Sequence, residues 1–262
     1  MHYNTIQLGI DPRGVATLAL NRPDTNNAFN AEMIREMTDA ITGCATDTAV
    51  RALILRSTGR HFSAGADLHW MRSTADMSVA ENRADAAKLS ELMRSLHEFP
   101  APTIARITGA SYGGALGLIA CCDMAFASDD ATFCLSEVRL GLVPAVISPY
   151  VVSAIGERAA RRYFLTGEVI DASLADKLGL IYRAGSPDAL DETIQNICKS
   201  VLKNGPVATQ EAKRLLRQVA GHPINDELRD LTIDLIARLR VSPEGQEGLN
   251  SFLEKRKPDW SK

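Results

Sequence analysis

The chain has 262 residues, 45% of them hydrophobic and 23% charged, with 29 Lys and Arg against 32 Asp and Glu. That balance excludes a disordered, collagen-like or coiled-coil chain, and a net charge of −3 with no basic run beyond residues 255–257 argues against nucleic-acid binding. No run of about 18 uncharged apolar residues marks a membrane span, and the first ten residues lack the basic segment and apolar core of a secretory leader.

The five cysteines, Cys44, Cys121, Cys122, Cys134 and Cys198, are odd in number and include no C-x-x-C pair. A disulfide framework or zinc site is therefore not expected, and the chain reads as a cytoplasmic protein. In chain order, residues 5–10 and 15–20 read as strands around the turn Asp11-Pro12-Arg13-Gly14. A loop over 21–27 leads to a helix over 31–44 with Met33, Met37, Ala40 and Ile41 at helical spacing, and residues 52–55 form a short buried strand. A small-residue loop over 61–68 precedes a helix over 79–99 capped by Ser78 and stopped by Pro100 and Pro102. Residues 103–107 read as strand, 113–121 as a small-residue helix, 124–127 as strand, and 132–134 and 138–140 as further short strands. Helices begin near Pro149 and Glu157.

Beyond about residue 186 the strand signal stops. Helices over 189–203, 207–219, 225–239 and 244–255 remain, each with a proline shortly before it. The pattern predicts an α/β body, 1–195, built as a spiral of strand–strand–helix units, and an all-helical region, 196–262.

No nucleophile elbow, phosphate-binding P-loop or dinucleotide fingerprint is present, and no two histidines stand at metal-ligand spacing. Two glycine-bearing loops remain. The first, His61-Phe62-Ser63-Ala64-Gly65-Ala66-Asp67-Leu68, and the second, Gly109 to Gly117, each enter a helix. Either alone reads as a tight turn or a close helix contact. Together they can aim two backbone N–H groups into one cleft, an oxyanion hole for a thioester carbonyl becoming an enolate. Such chemistry needs a base. Glu137, within Ser136-Glu137-Val138-Arg139-Leu140-Gly141-Leu142-Val143-Pro144, is flanked by apolar residues that would raise its pKa. The alternative is a Glu137–Arg139 pair on an exposed strand face.

These residues resemble the crotonase superfamily, the enoyl-CoA hydratase/isomerase fold, along essentially the whole chain. The likeness runs through Leu20-Asn21-Arg22-Pro23, Asn27-Ala28-Phe29, Phe62 to Leu68, Cys122-Asp123-Met124-Ala125, Ser136 to Pro144 and Phe252 to Lys257. The stretch from Leu135 to Pro149 is most similar to bacterial 3-methylglutaconyl-CoA and isohexenylglutaconyl-CoA hydratases. The resemblance implies oxyanion donors at the N–H groups of Ala64 and Gly114. It implies coenzyme A contacts from Ala66, Asp67 and Leu68, and from Phe252 and Lys255 reaching a neighbouring subunit of a homotrimer or dimer of trimers. The partner it implies is an acyl-CoA substrate, with no added cofactor, metal, nucleic acid or membrane. Trp70, Met71, Leu92, Tyr112 and Leu142 are candidate acyl-pocket residues. Typical members carry a second glutamate where this chain has Gly117.

The expected function is hydration of a branched, carboxylated enoyl-CoA of the 3-methylglutaconyl or isohexenylglutaconyl type, in leucine or acyclic-terpene breakdown. The substrate's own carboxylate would help hold the water, answered by Arg72, His69 or Arg139. The alternatives are double-bond isomerisation by one glutamate and a non-catalytic binding protein.

Overall fold

A computed structural model describes residues 2–261. Strands β1 (Ile6–Ile10) and β2 (Val15–Leu20) form an antiparallel hairpin, after which β2, β3 (Ala52–Ser57), β4 (Thr103–Ile107), β6 (Met124–Ser128) and β9 (Arg183–Gly185) pair in parallel. The other three strands, β5 (Ala110–Tyr112), β7 (Thr132–Cys134) and β8 (Val169–Asp171), form a second sheet in the order β5-β7-β8. From β4 to β7 the chain alternates between the two sheets, and after β8 it returns to the first. This is the spiral expected from the strand–strand–helix cycles.

The inner strands of the main sheet are covered on both faces, so β2, β3 and β4 are largely apolar. On one side Leu18, Leu20, Leu53, Leu55, Ala105 and Ile107 join a core shared with α1 (Ala31–Thr46), α3 (Val79–His97), α4 (Gly114–Cys121) and α5 (Ser148–Thr166). The alternating positions, Val15, Ile54, Ile104 and Phe126, turn to the other side and pack against Leu190, Ile194 and Cys198 of α7 (Pro187–Leu202). The boundary expected at 195/196 falls inside α7, which buries residues on both sides of that point against the sheet.

The helices begin where their caps are. Asn30 accepts from Met33 N (2.8 Å) at the start of α1, and Ser78 and Glu81 form a reciprocal capping box on α3. The two helices expected near residues 149 and 157 form one element broken at Gly156, whose φ of 75° interrupts the helical path.

Three features differ from expectation. Residues 110–112, read as part of a glycine loop, form β5. The helix α2 (Leu68–Ala75) starts straight from the first loop, and α6 (Ala172–Leu178) lies between β8 and β9. The strand expected over 138–140 is instead a 3-10 turn, Glu137–Leu140, closed by Gly141 N–H bonds to the Glu137 and Val138 carbonyls. Its Val-x-Leu pattern imitates a strand, but Leu140 is exposed and no strand pairs with it. The chain ends in α8 (Pro206–Val219), α9 (Asp226–Arg240) and α10 (Pro243–Leu253).

Candidate active site

The first glycine loop is stitched to its surroundings by its backbone. Ser63 N donates to Ala110 O (3.1 Å) and Tyr112 N to Ser63 O (2.9 Å), laying the loop along β5. On its other side Phe29 N donates to Gly65 O (2.7 Å) and Asp67 N to Phe29 O (2.9 Å). These bonds leave the Ala66 N–H, between them, with no acceptor among the described residues. The Ala64 N–H, expected as the oxyanion donor, is already given to Asn26 O at 2.9 Å. The N–H this loop leaves free is thus that of Ala66, two residues on, and a committed N–H such as that of Ala64 cannot also serve a ligand.

In the second loop Gly113 N donates to Cys134 O (2.9 Å), and Gly114 becomes the first residue of α4. A first helical N–H has no intrahelical partner, and none is supplied here from outside, so Gly114 N–H is free at the positive end of the helix. Gly114 also lies against the Phe29 ring: a Cβ there would stand 3.2 Å from Cε2. Phe29 therefore touches both donor loops, by its backbone at Gly65 and Asp67 and by its ring at Gly114.

The carboxylate comes from the second sheet. After β7 the 3-10 turn directs Glu137 back to the start of α4, where a Cβ on Gly113 (φ 54°) would be 3.2 Å from Glu137 Oε1. Only a residue without a side chain accommodates that approach and that backbone angle. Oε2 is buried without a hydrogen-bond partner. Burial pushes the Glu137 carboxyl above its ordinary value, offset only in part by its own backbone N–H. The alternative Glu137–Arg139 pair is not formed: the exposed Arg139 guanidinium turns one N–H to Gly167 O.

Asp67, expected to contact coenzyme A, faces inward. Its Oδ2 binds the Arg22 guanidinium (3.0 Å) and its Oδ1 accepts from His69 N (2.8 Å), capping α2. Burial alone would raise its carboxyl, but the Arg22 hydrogen bond and the backbone donors outweigh that and hold it low. Arg22, together with Asn26 and Asn27, braces the first loop and was missed as part of the site. Asn27 is fully buried: its Oδ1 accepts from Arg22 N (2.7 Å) and its Nδ2 donates to Thr58 O (2.8 Å) and His61 O (2.9 Å). The doublet Asn26-Asn27, both residues at positive φ, was the available signal.

Of the other candidates, Trp70 packs against the core, Met71 and Tyr112 are half-buried, and Leu68 and Leu142 are exposed. Phe252 and Lys255 are exposed at the end of α10, a helix packed on α8 and α9, and neither is bonded to the glycine loops. Gly117 is buried one turn beyond Gly113. A Cβ there would overlap Ile147 Cγ2 and come within 2.8 Å of Ile147 Cβ and 3.0 Å of Met93 Sδ. Among the described residues no group of three or more His, Cys, Asp or Glu is placed to hold a metal ion.

Two free N–H donors and an enclosed, unpartnered carboxylate are the parts an enolate-forming site requires. Residues 11–262 match the family model described as enoyl-CoA hydratase/isomerase. A crystal structure of an enoyl-CoA hydratase from Shewanella pealeana superposes with a TM-score of 0.95 at 47% identity, covering 98% of this chain and 96% of that one. Among sequence relatives, the crotonyl-CoA hydratase of Syntrophomonas wolfei is 30% identical over 262 residues, 99% of each chain. The 2,3-dehydroadipyl-CoA hydratase of Escherichia coli is 30% identical over 247 residues, 94% of each. The chain belongs to the enoyl-CoA hydratase/isomerase family, the crotonase superfamily, and is an enzyme of the enoyl-CoA hydratase type.

Proposed function

We propose that this enzyme hydrates the double bond of an enoyl-CoA whose acyl group carries its own carboxylate, of the branched 3-methylglutaconyl or isohexenylglutaconyl kind. The observation that carries the chemistry is the Glu137 carboxylate, with Oε2 enclosed and unpartnered, beside α4 and its free Gly114 N–H. The thioester carbonyl accepts from Ala66 and Gly114 N–H, so negative charge moves onto that oxygen as the double bond is attacked. Glu137 takes a proton from water, the hydroxyl adds at the β-carbon, and the same proton is returned to the α-carbon. A carboxyl held above its ordinary value suits both halves of that transfer. No cofactor is drawn upon.

One carboxylate alone holds the water loosely. A substrate carboxylate supplies the second acceptor, and the Escherichia coli relative is named for such a carboxylated thioester. Arg72 and His69 on α2 are exposed and without an ion-pair partner among the described residues, so they are the available receptors for that charge. Coenzyme A would run past Ala66 and Leu68, completed by Phe252 and Lys255 of another copy. The uncovered apolar side chains of the C-terminal region, among them Ile224, Val241, Phe252 and Leu253, support a homotrimer or dimer of trimers. The five unpaired cysteines fit a reducing, cytoplasmic setting.

The packing at Gly117 favours one other reading, double-bond isomerisation, since a single base can move a proton between two carbons without holding water. An absorbance assay of the conjugated thioester on crotonyl-CoA, 3-methylglutaconyl-CoA and a 3-enoyl-CoA separates the two. Loss of conjugation on the carboxylated substrate supports hydration; gain of conjugation from the 3-enoyl substrate alone replaces it with isomerisation.

A further inference from the structure

Gly113 is the N-cap of α4 and Gly117 lies four residues on, in its buried first turn. A side chain at Gly113 would meet the Glu137 carboxylate. At Gly117 it would meet hydrocarbon: Ile147 Cγ2 and Cβ and the Met93 sulfur occupy the place where a side chain would begin. Ile147 is 2% exposed and Met93 fully buried, so the wall is dry. The two contacts differ in kind. Met93 offers the end of an unbranched, flexible chain, which can swing aside. Ile147 offers a β-branched carbon fixed to the backbone that caps α5, with Tyr150 N (3.1 Å) and Val151 N (3.1 Å) both bonded to its carbonyl. It cannot withdraw without moving α5.

We propose that Ile147 is the specificity-determining residue that holds this site to a single carboxylate. It denies position 117 any side chain, so no second carboxylate can stand on the first turn of α4. A substrate must therefore bring its own second acceptor for water. The inference rests on the reading of Glu137 as the reacting base. It also makes residues 117 and 147 a coupled pair. A glutamate at 117 is admissible only when residue 147 loses both contacting atoms, which requires glycine there, since alanine keeps the Cβ.

The test uses the full-length enzyme as wild type, Gly117→Glu, Ile147→Gly and the double variant G117E/I147G. Thermal unfolding and kcat/KM are measured on crotonyl-CoA and on 3-methylglutaconyl-CoA between pH 5 and 9. The proposal expects Gly117→Glu to be the least stable of the four. It expects the double variant to unfold at a higher temperature than Gly117→Glu, although each substitution alone lowers stability. On crotonyl-CoA the double variant should gain at least tenfold in kcat/KM over Ile147→Gly, with a second ionisation in its pH profile. A merely structural role for Ile147 would move stability without changing the ratio between the two substrates. The proposal is overturned if Gly117→Glu is as stable and active as wild type. It is also overturned if the double variant fails to fold, or folds without gaining on crotonyl-CoA. Failure of the underlying reading looks different: wild type would then transform neither thioester, or would be unaffected by Glu137→Gln.

Discussion

The two ends of α4 present carboxylates in opposite states. Beyond its C-terminal end, Asp123 accepts from Thr103 N (2.7 Å) and Thr103 Oγ1 (2.9 Å), and its Oδ2 pairs with the Lys213 ammonium at 2.7 Å. Lys213 is itself tied to Ala101 O (3.1 Å), so α8 is fastened to the start of β4. At the N-terminal end, Glu137 Oε2 has no donor and the nearby Gly114 N–H no acceptor among the described residues. One end uses its polar groups up in holding the fold; the other leaves them unpaired. Leaving buried polar groups unpaired costs free energy, which makes that end the candidate for binding and reaction. The contrast therefore separates a structural carboxylate from a candidate reacting one more sharply than burial does.

The largest expected break of this comparison is at Glu137. Glu137→Gln should lower kcat by about 10²–10⁴-fold, the usual contribution of a general acid–base group. It should also raise the unfolding temperature at neutral pH. A carboxyl raised by burial favours folding below the ordinary value of 4.5 and opposes it as pH rises through the raised value. Glutamine removes that opposition, so the gain should shrink as pH falls toward 4.5. For the same reason wild-type kcat/KM should fall on the acid side at a pH above 4.5. A variant that loses activity and stability together would show Glu137 to be structural, like Asp123.

Next comes the donor at the other side of the reacting oxygen. Gly114→Pro deletes the N–H at a first helical position, where proline is tolerated, and should cost about 3 kcal/mol of transition-state stabilisation, roughly 10²-fold in kcat. Gly114→Ala adds the same Cβ against Phe29 but keeps the N–H. Steady-state kinetics of the pair isolate the donor; equal losses would assign the effect to crowding instead.

The smallest effect on activity belongs to the structural end. Lys213→Ala should leave kcat near wild type while destabilising by roughly 2 kcal/mol, less than a fully enclosed pair because the Asp123 side chain is 31% exposed and rehydrates. Denaturant unfolding reads this directly. A large fall in kcat would mean that the two ends are coupled through the helix.

Much of this was legible along the chain. The strands β2, β3, β4 and β6, the cap Ser78, the terminal helices and Glu137 all carry local signals, because hydrophobic period and cap chemistry act within a few residues. The 3-10 turn at Glu137–Leu140 was read as strand because its apolar spacing has period two, while its geometry is set by Gly141. Asp67 and Arg139 looked available as charged residues beside the loops; Arg22 and Gly167 O engage them.

The sequence by itself determined a crotonase-type spiral, a pair of small-residue loops and one carboxylate able to act as a base. Only the tertiary structure decided which N–H groups stay free: a single bond to Asn26 O commits Ala64 and leaves Ala66 as the free first-loop N–H. It alone decided, too, that the glycine at 117 answers Ile147 and Met93, from the cap of α5 and from α3. The reason is physical: a donor is free, or a position empty, only relative to what the rest of the fold brings against it. Such competitors arrive from other elements of the chain, where local pattern carries no record of them.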